Sequence, residues 1–292
     1  MKKLTSLLLV VVMTVLCVAS CTQKDSVDLT KATSLADLAG ANIAAQSGTF
    51  HADALEQIEN VKSSTYPEFS DLLTALKSGA IDGYVAEEPT ALSVCGADDS
   101  LTYIHLVNND TGFTATPADV GIAVGLKTGS ELRDRINEVL KDVTVDVQKT
   151  LMEQIVAIAN GEEVTEFVLK NEKPETFNGT LKIGMECAYE PYNWTETEAT
   201  SIGCVPIHGE GKEGLYANGY DVQIAQYIAN KLGLELEVYA LEWDSLLPAV
   251  QSGTIDGIVA GMSPTEEREE QIDFTNTYYE SNLVVIIRNN AK

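Results

Sequence analysis

Leu72-Leu-Thr-Ala-Leu-Lys-Ser-Gly-Ala-Ile-Asp-Gly-Tyr-Val-Ala86 returns later in the chain as Leu246-Leu-Pro-Ala-Val-Gln-Ser-Gly-Thr-Ile-Asp-Gly-Ile-Val-Ala260. Ten of the 15 positions are identical. Each copy reads as the end of an amphipathic helix, a Ser-Gly stop and a short apolar strand. With two copies and no third, the repeat predicts two α/β lobes of like construction, not a solenoid.

Working outward, the remaining pattern also alternates. Ala41–Gln46, Val120–Gly125, Leu181–Met185, Leu234–Ala240 and Leu283–Arg288 read as further strands. Helical periodicity marks His51–Asn60, Ser130–Leu140, Val145–Asn160 and Tyr220–Leu232. Ser34-Leu-Ala-Asp37 has the pattern of a capping box. Residues 161–180 have weak periodicity and read as a connector.

The N-terminus is a different kind of segment. Lys2 and Lys3 precede an uncharged aliphatic run from Leu7 to Ala19, too short to span a bilayer but suited to a signal-peptide core. Val18-Ala-Ser-Cys21 resembles a lipoprotein cleavage site, which makes residues 1–20 a signal peptide, Cys21 the lipid-bearing residue and 21–33 a tether. The alternative is a plain signal peptide with a chance cysteine. A lipid on Cys21 would hold the protein on a membrane without a spanning helix.

The formal charge is −25, from 19 basic and 44 acidic residues, and such a surface repels nucleic acid and anionic headgroups. Beyond Cys17 and Cys21 only Cys95, Cys187 and Cys204 remain, with no CxxC spacing, so no metal site or cofactor is expected. In an exported protein Cys187 and Cys204 either pair across the short loop between them or stay as thiols.

Ligands of open α/β sheets bind beyond the carboxyl ends of strands. The residues found there are Gln46, Thr49 and Phe50, Glu87, then Glu186 and Tyr189, Trp243, and finally Gly261, Ser263 and Arg268. Pooled, they offer one guanidinium, carboxylates, hydroxyls and aromatic faces, a set that suits a zwitterion. Arg268 can grip a carboxylate through two parallel charge-assisted bonds, and Glu87 can accept from an ammonium. Tyr189 and Trp243 can sandwich a side chain. The histidines His51, His105 and His208 are scattered, and no nucleophile–base pair is visible.

Leu181-Lys-Ile-Gly-Met-Glu-Cys-Ala-Tyr-Glu-Pro-Tyr192, Gly219-Tyr-Asp-Val222, Trp243-Asp-Ser-Leu-Leu-Pro-Ala249 and Gly261-Met-Ser-Pro-Thr-Glu-Glu-Arg268 resemble the first lobe of polar amino-acid-binding proteins, the family-3 solute-binding proteins of ABC importers. Ser34-Leu-Ala-Asp-Leu-Ala-Gly40, Gln46-Ser-Gly-Thr49 and Ile81-Asp-Gly-Tyr-Val-Ala-Glu87 resemble the second lobe. The resemblance implies a two-lobed periplasmic-binding-protein type II fold with a hinge. It implies that Arg268 takes the ligand carboxylate, helped by Ser263 and backbone near Gly261 and Thr49. Glu87 would take the amino group, where many relatives carry Asp, and Glu186 would stand near the ligand side chain.

The order departs from the family. Second-lobe motifs fill 34–119, a hinge strand and closing helices of the first lobe follow at 120–160, the connector is 161–180, and first-lobe motifs with a C-terminal hinge strand occupy 181–292. Every part occurs once, so a circularly permuted monomer is expected, with a domain-swapped dimer as the competing arrangement. In this reading the lobes share one unbroken crossing near Val120–Gly125, and the strand Leu283–Arg288 makes the other by pairing alone.

The expected function is capture of an amino acid at the extracellular face of the membrane, or in a periplasm, for delivery to an ABC importer permease. Glu87 and Glu186 outweigh Arg268, which favours lysine or arginine. A neutral ligand such as glutamine is the alternative if Glu186 only orders its loop. A dehydratase-like enzyme on the same fold is a third reading, but catalysis is not expected.

Overall fold

The computed structural model describes residues 28–199 and 201–289. The signal peptide and Cys21 lie outside the described residues. Among those described, no helix is long and apolar enough to cross a membrane.

Two mixed sheets organise the chain. The smaller is ordered β2 (Lys62–Tyr66), β1 (Asn42–Gln46), β3 (Gly83–Glu87), β14 (Leu283–Arg288), β4 (Leu101–Ile104). The larger begins with β13 (Asp273–Glu280), β5 (Gly121–Leu126), β12 (Gly257–Ile258), β6 (Thr180–Met185) and β11 (Glu235–Ala240). It continues through β9 (Val205–His208), β10 (Tyr216–Asn218), β8 (Asn193–Glu196) and β7 (Ala188–Tyr189). Two α/β lobes result, as the repeat predicts.

The repeat itself folds twice in the same way. Helices Phe69–Ser78 and Trp243–Ser252 each stop at a left-handed glycine, Gly79 at φ +77° and Gly253 at φ +78°, the αL cap that glycine adopts at little steric cost. An aspartate then ties each copy to its neighbouring parallel strand. The Asp82 backbone N–H donates to Asn42 O at 2.8 Å while its carboxylate accepts from the Asn42 N–H at 2.9 Å. Asp256 repeats both bonds with Lys182, at 2.8 and 2.8 Å. The identical Ile-Asp-Gly triplets are thus strand-start clamps, and they set the register of each sheet.

The chain crosses between lobes twice. One crossing runs from the short helix Pro117–Val120 into β5 of the larger sheet. The other is the turn Ser281-Asn282, where β13 of the larger sheet leads into β14 of the smaller. Asn108 steadies this turn, its Oδ1 accepting from the Leu283 N–H at 3.2 Å.

This corrects the sequence-based picture of the C-terminal strand. The second crossing is covalent through Ser281-Asn282, so β14 is not joined by pairing alone. It lies between β3 and β4, antiparallel to both, and Leu283–Ile287 are buried. The physical reason is its continuous apolar run, which requires cover on both faces. Arg288 caps the strand by donating to the carbonyls of Leu76 and Ile81. Leu29, within residues 21–33, is packed into the smaller lobe's core.

Ile286 is fully buried in the middle of β14. Ile286→Ala should lower the unfolding free energy in urea by about 2–5 kcal/mol.

Candidate functional site

The site lies where strand ends of the two lobes meet. β1 delivers Gln46 to the boundary, and Ser47-Gly48-Thr49 turns the chain into the helix Phe50–Ala54. Gly48 is left-handed at φ +69°, and a Cβ there would sit 3.5 Å from Trp243 Nε1. Thr49 Oγ1 donates to Gln46 O at 2.7 Å and closes the turn. From the larger lobe, β12 runs into Gly261 (φ +63°), where a Cβ would press on the Tyr189 ring at 3.0 Å. Glycine is therefore required at 261 both for its backbone angle and for the ring beside it.

Arg268 follows on the short helix Glu266–Glu269 and is only 8% exposed. Its guanidinium donates to Ser263 O at 2.8 Å and, across the cleft, to Gly48 O at 2.8 Å. Trp243, the first residue of its helix, lies over it at 5.3 Å. Asp53 and Glu267 act on the charge only through space, and burial pulls its pKa down to about 10. A buried guanidinium held by carbonyls is a poorly compensated cation, because desolvating an unpaired ion costs several kcal/mol.

Eight of the ten ligand-binding candidates line one central gap: Gln46, Thr49, Phe50, Tyr189, Trp243, Gly261, Ser263 and Arg268. The other two stand one contact back. Glu186 Oε1 accepts from Gln46 Nε2 at 2.9 Å, and Glu87 Oε1 meets His51 Nε2 at 3.0 Å. The gap admits the centre of a water-sized sphere over only about 10 Å³, room for roughly one water. Beside it, a wider cavity of about 230 Å³ opens along Arg268, Asp53 and Asp244.

The lobes touch around this gap. Phe69 of the smaller lobe stacks on Tyr189 of the larger, with centroids 4.0 Å apart and planes 9° from parallel. Ser93 donates to Glu190, another contact between lobes. Tyr189 thus already has an aromatic partner, and Trp243 serves the guanidinium. They face the same gap but are not paired with each other.

Residues missed in the sequence are His51, Phe69 and Asp119, which line the gap as well. His51 is not merely one of three scattered histidines: it touches Glu87. Its signal was its place two residues after Thr49, at the same strand end. Cys187 and Cys204 are separate thiols, Cys187 buried so that its pKa is pushed up to about 12. No cluster of metal-binding side chains exists among the described residues.

Glu186 is a strongly perturbed acid of the site. Burial, with the nearby charges of Glu68 and Glu242, raises its pKa to about 7 despite the Gln46 bond. Beneath Gly261, buried Asp221 also titrates near 7, raised by burial, while accepting from Tyr278 Oη at 2.7 Å and Asn193 Nδ2 at 2.8 Å. That network fixes the floor on which the Tyr189 and Gly261 pair rests.

Residues 181–292 match the model of bacterial extracellular solute-binding proteins, family 3. Over 82 residues it is 38% identical to the arginine-binding extracellular protein ArtP of Bacillus subtilis, covering 28% of this chain and 32% of that protein. A probable histidine-binding protein of Campylobacter jejuni is 35% identical over 112 residues, 38% of this chain and 37% of the relative. The chain thus spans about a third of the length of these solute-binding relatives. Among solved structures, an ancestral arginine-binding protein bound to glutamine is 34% identical over 35% of this chain and 39% of its own, with a TM-score of 0.27. The alkanesulfonate-binding protein SsuA from Xanthomonas axonopodis covers 86% of this chain and 66% of its own at 11% identity, with a TM-score of 0.43.

Because the folded pKa of Glu186 is raised, its carboxylate opposes folding above the unfolded carboxyl pKa of about 4.3. Stability is lost as pH rises from there to about 7. Glu186→Gln should therefore match the wild type in thermal melts at pH 4 and exceed it at pH 8 by roughly 3 kcal/mol.

Proposed function

We propose that this protein captures an amino acid between its lobes and hands it to an ABC importer, held at the outer membrane face by a lipid on Cys21. The observation that carries the reading is Arg268: a buried cation at the lobe boundary, bonded to carbonyls of both lobes and poorly neutralised. A ligand carboxylate would supply two charge-assisted bonds to a group that is now only partly satisfied. Entry requires the lobes to part, exchanging the Arg268–Gly48 bond for the ligand, and closure then selects the bound form.

Behind Gln46, Glu186 stands among the acidic charges of Glu68 and Glu242. A basic side chain there would draw Glu186 back to its ionised form, which favours lysine or arginine. Glutamine remains the second reading, since Gln46 already engages Glu186. The relatives bear the names of amino-acid-binding proteins, and binding rather than catalysis is the reading adopted.

The chain is further read as a circularly permuted monomer, second lobe first. Strands from residues 42–104 share a sheet with strand 283–288, while residues 121–280 build the other. A permuted order would also confine collinear matches to part of each relative, as the 181–292 match does.

A thermal-shift panel of the twenty amino acids tests the function. Saturation at 100 times the dissociation constant adds about 2.7 kcal/mol, so the melt should rise most with lysine or arginine. Arg268→Ala should remove the shift while the protein still folds. A shift retained in that variant, or none with any amino acid, contradicts the reading.

A further inference from the structure

One residue beyond Tyr189, the lobes meet again. Glu190 of the larger lobe accepts from Ser93 Oγ, on the smaller lobe's helix Glu88–Ala97. Ser93 is fully buried. Three residues further along this helix, Gly96 lies so close to Asn160 that a Cβ would come within 2.5 Å of Asn160 Nδ2. The helix is thus seated against the larger lobe at two places, which holds Ser93 where Glu190 can reach it.

Glu190 also lines a cavity of about 520 Å³ between the lobes, together with Leu73, Val94, Cys187 and Trp194. Lys77 lines the same cavity but is paired with Asp98 at 2.7 Å. A carboxylate in this place gives up part of its hydration and gains a neutral hydroxyl donor in return, which compensates it poorly. A protonated carboxyl has no ionic hydration to lose, and it can still share a hydrogen bond with Ser93. Parting the lobes breaks the Ser93 bond and returns Glu190 to water.

We infer that Ser93 and Glu190 form a proton-sensitive latch between the lobes, which part readily while Glu190 is a carboxylate and stay joined when it is protonated. Burial raises the Glu190 pKa, with the Ser93 bond acting against it. In the parted form the hydrated carboxyl returns to its ordinary value. The joined form is therefore favoured below that ordinary value, and it loses the advantage as pH rises through the raised one. The inference goes beyond the capture reading and needs only that the lobes part.

Other ionisable groups surround the latch. Tyr84, Cys187 and the Lys77–Asp98 pair share its cavity, and Glu88 and Cys95 share the helix of Ser93. His51 with Glu87, and Glu186 with Gln46, stand at the neighbouring gap. Glu186 is itself bonded across the lobes and titrates near 7, so Glu186→Gln serves as the background for every measurement.

Small-angle X-ray scattering of the intact protein, without added amino acid, gives the ratio of parted to joined molecules at pH 5.5 and pH 8. In the Glu186→Gln background this ratio should rise at least threefold between the two. Adding Glu190→Gln, which stays neutral, should abolish the rise. Adding Ser93→Ala instead, which takes the donor from the carboxylate, should raise the ratio at pH 8 at least twofold further. A rise that survives Glu190→Gln, or no rise in the background protein, overturns the latch. An unchanged ratio at pH 8 in Ser93→Ala also overturns it. The conservative Glu190→Gln decides the matter even if Ser93→Ala fails to fold. Ligand binding is not read in this experiment, so a failure of the capture reading would leave its result standing.

Discussion

A guanidinium buried between two lobes is a charge that this protein does not fully neutralise by itself. Arg268 is held by carbonyls of Ser263 and Gly48 and by the Trp243 ring. Around it the site is organised by that shortfall. Gly48 must turn left-handed to bring its carbonyl over, Trp243 must begin its helix beside the same turn, and both depend on the lobes meeting. Desolvation strengthens whatever anion eventually pairs with the arginine, because the same low dielectric that penalises an unpaired ion amplifies its attraction to a partner.

Topology puts these groups within reach. Each lobe presents strand ends to the boundary, and the Asp82 and Asp256 clamps keep the parallel strands in register behind them. β14 completes the smaller sheet with residues from the far end of the chain. The smaller lobe's sheet is therefore incomplete until residue 288, although most of its strands come from the first hundred or so residues. The two crossings, before β5 and at Ser281-Asn282, lie side by side where Gly121 pairs with Glu280.

The parts legible in the sequence are those with periodic or repeated signals. The Ile-Asp-Gly repeat, the continuous apolar strands and the strand-end rule located the lobes and the residues around the gap. The helix Glu88–Ala97 was not legible, because it buries Pro89, Thr90, Ala91 and Ser93 and has no clean amphipathic stripe. β2 is a polar edge strand, Lys62-Ser-Ser-Thr-Tyr66, and carries almost no apolar pattern. His51 and Glu87, on different elements, meet across 35 intervening positions, and nothing local announces such a pair. Phe69 looked like an ordinary core position of an amphipathic helix until the structure set it against Tyr189.

The account stands on Arg268 serving a ligand carboxylate, and the most direct measurement removes that carboxylate from the ligand, not the arginine from the protein. Calorimetric titration of the intact protein with an amino acid and with its carboxamide, in which a neutral NH2 donor replaces one charged oxygen at C1, probes that interaction. The account predicts that the amide binds at least a hundredfold more weakly, or not detectably. Equal affinity for acid and amide would contradict it.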